Sequence, residues 1–192
     1  VSMGYKLSKT EQVSLAYGMF YQDPINSQLL GRNSLGYEKA SHYILSFDKK
    51  MEGRSIRAEA YYKDYSDLVK YPFTSSSDYS NTGDGYVYGV DVYFRDRKTI
   101  KNGDYWISYS YLNSERNYLN YPTTAKPSFA NAHTLSVVYK HWFESLRSQL
   151  GATFSYGSPR PYNNPNSSQF MDDRLKPYRS MDMNWSWLFR DN

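Results

Sequence analysis

The chain has 192 residues, 22 of them tyrosine and none cysteine, with 18% aromatics, a formal net charge of +4 and a mean hydropathy of −0.79. The lack of cysteine removes a disulfide framework, a thiolate metal site and a cysteine nucleophile together. No run of about 18 uncharged apolar residues exists, which excludes a transmembrane helix, and the basic residues are scattered singly among acids, so no nucleic-acid partner is expected.

Alternation with a period of two predicts nine strands, near 1–7, 12–21, 42–49, 54–66, 86–96, 104–116, 132–142, 146–157 and 178–190. The first, "VSMGYKLSK", reads as an alternating strand and not as a signal peptide, so the chain is expected to be mature or cut from something larger. In the second, Val13, Leu15, Tyr17, Met19 and Tyr21 oppose Gln12, Ser14, Ala16 and Gly18. The fourth sets Ile56, Ala58, Ala60 and Tyr62 against Arg57, Glu59, Tyr61 and Lys63.

The fifth and sixth form a long hairpin across "RKTIKNG". Tyr86, Tyr88, Val90, Val92 and Phe94 fall on one face, and Val87, Gly89, Asp91, Tyr93 and Arg95 on the other. On the return, Tyr105, Ile107, Tyr109 and Tyr111 oppose Asp104, Ser108 and Ser110, and Trp106 breaks the pattern. In the last strand Met181, Met183, Trp185, Trp187 and Phe189 oppose Ser180, Asp182, Asn184 and Ser186.

Connections alternate in length. "SKTE", "KMEG", "RKTIKNG" and "FES" are short, whereas long ones begin near Gln22, Asp67, Asn117 and Ser158 and hold Pro24, Pro72, Pro122, Pro127, Pro159, Pro161 and Pro165. Compact domains rarely need four such loops on alternate turns, whereas outer-membrane barrels have short turns at one rim and long loops at the other. The better strands also match the roughly 9–11 residues of a tilted membrane strand, against about 5–6 in globular sheets.

These features predict an all-β, antiparallel up-and-down meander of about nine long strands, part of a large transmembrane β-barrel and a single domain over 1–192. Arg57, Glu59, Lys63, Asp91, Arg95, Asp182 and Asn184 are expected to face the lumen. Tyr86, Tyr88, Phe94, Trp185, Trp187 and Phe189 are expected to face lipid, where aromatic rings favour the headgroup level. The alternative is a soluble, aromatic-rich β-sandwich that binds carbohydrate by ring stacking, because alternation arises equally when one face packs on a core.

The stretches "EKASHYILSFDKK", "IRAEAYYKDYSDLVKYP", "NTGDGYVYGVDVYF", "YWISYSYLNSERNY", "HTLSVVYKHW", "GATFSYGSPRPYNNP" and "YRSMDMNWSWLF" resemble, in order, the C-terminal half of the barrel in TonB-dependent outer-membrane receptors. The resemblance implies a 22-stranded barrel in the outer membrane of a Gram-negative bacterium, with partners in lipid, a plug domain, the remaining strands and the TonB complex. It implies active import of a nutrient such as a glycan, siderophore, cobalamin or peptide. No plug and no TonB box are found, the chain ends "LFRDN" without the family's terminal aromatic, and nine is an odd count. A fragment with strands missing on both sides is therefore expected.

No enzyme, cofactor or metal site is expected. Of the three histidines, His42, His133 and His141, the last two share the parity of Leu135, Val137 and Tyr139, and no serine stands in a G-x-S-x-G setting. "MDDR" at 171–174 has adjacent acids suited to a cation, though a solvated loop explains them. Arg160, Tyr162, Asn163 and Asn164 in "SPRPYNNPN" are the candidate ligand contacts, and the same groups suit loop packing.

Overall fold

A computed structural model describes residues 1–29, 35–71 and 78–189, so Pro72 and the chain's last three residues lie outside the described residues. Nine strands form one antiparallel sheet: β1 (Ser2–Lys6), β2 (Glu11–Gln22), β3 (Glu38–Met51), β4 (Arg54–Lys70), β5 (Ser80–Asp96), β6 (Gly103–Asn117), β7 (His133–Phe143), β8 (Ser148–Gly157) and β11 (Tyr178–Trp187). The order is that of the sequence. A single helical turn, α1 (Asn26–Leu29), lies in the first long connection. In the last, β9 (Pro161–Tyr162) and β10 (Asp173–Arg174) pair in a ribbon of their own that alternation could not signal at two residues each.

Register partners in an antiparallel ladder share a face, so the pairing carries the face of one strand to the next. One row runs Leu15, Leu45, Ala60, Val90, Tyr111, His133. The adjacent row on the opposite face runs Ser46, Glu59, Asp91, Ser110, Thr134, Gly157. One face is thus apolar and aromatic through the middle of the sheet, with charges such as Lys49, Arg54, Asp64 and Glu115 only toward the strand ends, and the other carries charges along its length.

Apolar side chains on the first face are open: Leu15 is 50% exposed, Met183 64% and Trp187 60%. Among the described residues no second layer covers them, and of the buried apolar residues only Val87 belongs to the middle of the sheet. Eight residue steps from Phe94 to Tyr86 make about 27 Å of strand, which a tilt of about 40° reduces to about 21 Å, close to the roughly 25 Å apolar band of a membrane barrel.

Several predicted boundaries move, and β3 already begins at Glu38 where the alternation predicted a start near 42. β4 and β5 run to 17 residues each, because Ser80–Gly85 of the Ser/Thr/Asp-rich segment pairs back onto β4 with register shifts around Leu68. The second long connection is correspondingly shorter than its composition suggests. At the other end β11 stops at Trp187, so Phe189 lies beyond the ladder and is 89% exposed.

Candidate functional site

The register places Arg57, Glu59, Lys63, Asp91, Arg95, Asp182 and Asn184 on the charged face. Arg57 Nη2 lies 3.3 Å from Glu59 Oε2 and its Nε 3.9 Å from Asp48. Glu59 is directly opposite Asp91, and the two line a depression of about 350 Å³ with Arg57 and the serines Ser108 and Ser110. Asp182 and Asn184 line a smaller one, of about 170 Å³, with Lys140. Tyr86, Tyr88, Phe94, Trp185 and Trp187 share the opposite, apolar face.

Near the short turns Arg95 donates a forked pair of hydrogen bonds to Asp104, at 2.9 and 2.6 Å, the planar geometry that suits guanidinium and carboxylate. Trp106 joins them. Its ring holds the Arg95 guanidinium at 5.5 Å and the Lys140 ammonium at 5.3 Å, which explains why this aromatic breaks the alternation. Below them Asp96, 2% exposed, accepts hydrogen bonds from Lys98 N, Thr99 N, Thr99 Oγ1 and Arg54 Nε, closing the turn.

The long-loop end holds a small core of its own. Val69, Pro127 and Pro161 are fully buried there, with Leu68, Tyr121, Ala130 and Met171 nearly so. The connection after β6 reaches β4 in one direction, where Leu119 N donates to Val69 O at 2.7 Å and Tyr71 N to Leu119 O at 3.0 Å. In the other direction Tyr121 meets Phe170 edge-on at 4.9 Å, tying it to the β9–β10 connection. Tyr121 also packs on Tyr118 at 4.9 Å. Burial, followed by the neighbouring Tyr121 phenol, pushes the Tyr118 hydroxyl up to about 12.

Of the four loop candidates, Arg160 and Asn163 are exposed and Tyr162 is half-buried in the ribbon opposite Asp173. Asn164 is engaged by the loop itself: its amide donates to Asp173 at 2.6 Å and its carbonyl accepts from Asn166 N at 2.9 Å. The acids of "MDDR" make no cation cage, and among the described residues no group of three or more metal-ligating side chains converges.

Sequence reasoning missed Arg116. It lies on the charged face opposite Gly85, with Tyr65 at 4.2 Å, Phe129 at 5.3 Å and Tyr118 at 5.5 Å from its guanidinium carbon. Tyr118 is only two residues away, but Tyr65 comes from β4 and Phe129 from further along the connection after β6, so local spacing announces just one of the three rings. His133 and His141 each accept or donate at Nδ1 to a tyrosine hydroxyl at 2.8 Å, Tyr109 and Tyr139 respectively, and not to a serine.

The sequence matches no family model and no curated relative. Solved structures do match it. The FrpB iron transporter from Neisseria meningitidis superposes with a TM-score of 0.76 at 12% identity, over 97% of this chain and 32% of its own. The unliganded ferric citrate transporter FecA gives 0.77 at 13%, over 99% and 30%. A mutant of the ferric enterobactin receptor PfeA from Pseudomonas aeruginosa gives 0.76 at 11%, over 100% and 32%. The chain therefore spans about a third of the length of these proteins, and it shares its fold with part of these TonB-dependent outer-membrane receptors.

Proposed function

We propose that the chain forms part of the barrel of a TonB-dependent receptor in the outer membrane of a Gram-negative bacterium, a protein that binds and actively imports a nutrient. The observation that carries this reading is the segregation of one uncovered apolar and aromatic face from one charged face through nine consecutive strands. Closed into a barrel with further strands, such a sheet is stable in lipid, where the apolar side needs no second layer and the charged side lines water or a plug. A soluble sandwich would need a layer over Leu15, Met183 and Trp187, and no described residue packs there.

In this role the charged wall bears on a plug domain and on the passing substrate, and the long loops, with Arg160, Tyr162 and Asn163, capture ligand. Energy arrives through TonB from the inner membrane. The nutrient is a glycan, siderophore, cobalamin or peptide, and because the similar structures are iron and ferric-chelate transporters, a ferric siderophore is the first ligand to test. No catalytic step is assigned to His133, and His133→Ala is expected to leave esterase and lipase readouts of outer membranes at background.

Fractionation of cells followed by unheated and boiled gels, probed with an antibody to residues 158–177, tests the reading. A heat-modifiable outer-membrane band far larger than 22.5 kDa is expected. A soluble band near 22.5 kDa would overturn it.

A further inference from the structure

Two of the long connections meet at a residue that the sheet leaves out of its ladder. β3 and β4 stay in register only as far as Lys39 and Ser66, and the pairing of β4 with β5 slips between Leu68 and Lys70. Val69, fully buried, therefore turns its backbone to other partners. Its N–H donates to the Glu38 carboxylate at 2.9 Å, where the connection after β2 ends, and its carbonyl accepts from Leu119 N at 2.7 Å, in the connection after β6.

The connection after β2 is tied a second time. Asn81, where the connection after β4 enters β5, pairs its amide with the backbone of Gly36: Oδ1 accepts from Gly36 N at 2.8 Å and Nδ2 donates to Gly36 O at 3.1 Å. The same Nδ2 donates to Asp67 O at 2.8 Å, in the irregular upper part of β4. One side chain thus supplies a rung between segments that the sheet does not join.

The links continue to the last connection. Leu119 O accepts from Tyr71 N at 3.0 Å, which completes a parallel bridge to β4, and Tyr121 packs its ring against Phe170. Leu119 has φ 50° and Asp67 φ 58°, left-handed backbone that side-chain-bearing residues adopt at a cost. Such conformations persist only where their surroundings hold them. Here the bonds that hold them are the ones that cross between connections.

Val69 also gives the reason for coupling. Its N–H and its carbonyl serve different connections on a residue that water does not reach, so losing either partner leaves a buried polar group unpaired. Once one side opens and water enters, the bond on the other side loses its advantage over water. The two sides therefore open together.

We infer that the four long connections form one cooperative unit, with Val69 as its hub and Asn81 as its latch to the connection after β2. Its use rests on the barrel reading: a ligand held by Arg160, Tyr162 and Asn163 in the last connection then orders the first, and the rim responds to capture as a whole.

Hydrogen exchange, read by mass spectrometry on the native protein extracted from outer membranes, tests the coupling without a ligand. Phe170→Ala perturbs the last connection, and the readout is the amides of residues 35–37 in the first. Their exchange is expected to quicken about threefold or more. Asn164→Ala also perturbs the last connection but breaks only bonds internal to it, and is expected to change 35–37 by less than about 1.5-fold. Asn81→Ala alone is expected to quicken exchange there about fivefold, roughly the worth of one hydrogen bond. With the latch gone, adding Phe170→Ala is expected to have a smaller effect than it has alone.

No rise at 35–37 in Phe170→Ala, an equal rise in Asn164→Ala, or the same factor from Phe170→Ala with and without Asn81→Ala overturns the proposal. A heat-modifiable band shows that each variant has folded. If Phe170→Ala lacks that band, Phe170→Leu, which removes the ring and keeps an apolar side chain, takes its place with the same expectations. A wild-type protein without the band would overturn the barrel reading, while the exchange results would still decide whether the connections are coupled.

Discussion

At the scale of single residues, the wall is most constrained where a side chain from one strand lies over the backbone of the next. A Cβ on Gly89 would collide with the Tyr111 carbonyl oxygen and lie 2.5 Å from the Tyr61 hydroxyl. Gly89→Ala is expected to destabilise the sheet by about 1–3 kcal/mol, read as a lower urea midpoint of tryptophan fluorescence in lipid vesicles. Gly36→Ala, with no atom nearer than the Asn81 Oδ1 at 3.9 Å, is expected to stay within about 0.5 kcal/mol. At Asp96 the loss of four donors' acceptor in Asp96→Ala is expected to cost about 1–3 kcal/mol in the same assay. Tyr118 gives a pH dependence of defined sign. Its folded pKa is above the ordinary phenol value of 10, so the neutral form is favoured in the packed loop. That contribution is fully present below about pH 10 and is lost as pH rises toward about 12, so protease cleavage within 118–132 is expected to increase over that window.

At the scale of the strand, a period of two decides everything because one step along the chain exchanges the apolar face for the charged one. Val90 and Ser110 lie in adjacent rows of neighbouring strands on opposite faces. Val90→Arg is expected to lower the stability of the protein folded into vesicles by about 2–4 kcal/mol, the cost of an arginine facing mid-bilayer, whereas Ser110→Arg is expected to change it by less than about 1 kcal/mol. Equal effects would remove the assignment of faces. All nine long strands were legible in the sequence, since each repeats the same binary pattern over many positions, although β3, β4 and β5 extend beyond their predicted ends, β5 back to Ser80 from a predicted start at 86. The errors fall where that pattern fades: at Asp67, whose positive φ marks the irregular upper part of β4, and in the two-residue strands of the last connection.

At the scale of the whole molecule, the long loops are not four independent strings. Tyr121, between Tyr118 and Phe170, joins the connection after β6 to the one after β8. Tyr121→Ala is expected to raise proteolysis in both 118–132 and 158–177 while leaving the heat-modifiable barrel band intact, because loss of a packed ring costs about 3–5 kcal/mol where the ring sits and nothing in the distant ladder. Cleavage confined to one loop would show that the two are not coupled. Such coupling gives a receptor a preformed platform, which lowers the ordering cost of capturing a ligand.

The sequence by itself determined the strands, their order, the two faces and the alternation of short turns with long loops. These follow from local geometry, in which side chains alternate and proline cannot donate to a ladder. Only the tertiary structure decided which charges are paired and which are left open, that Trp106 seats Arg95 and Lys140, that Asn164 is committed to its own loop, and that Arg116 is cradled by rings from two distant segments. Those relations depend on register and on loop packing between residues far apart in the chain, and no spacing within one segment encodes them.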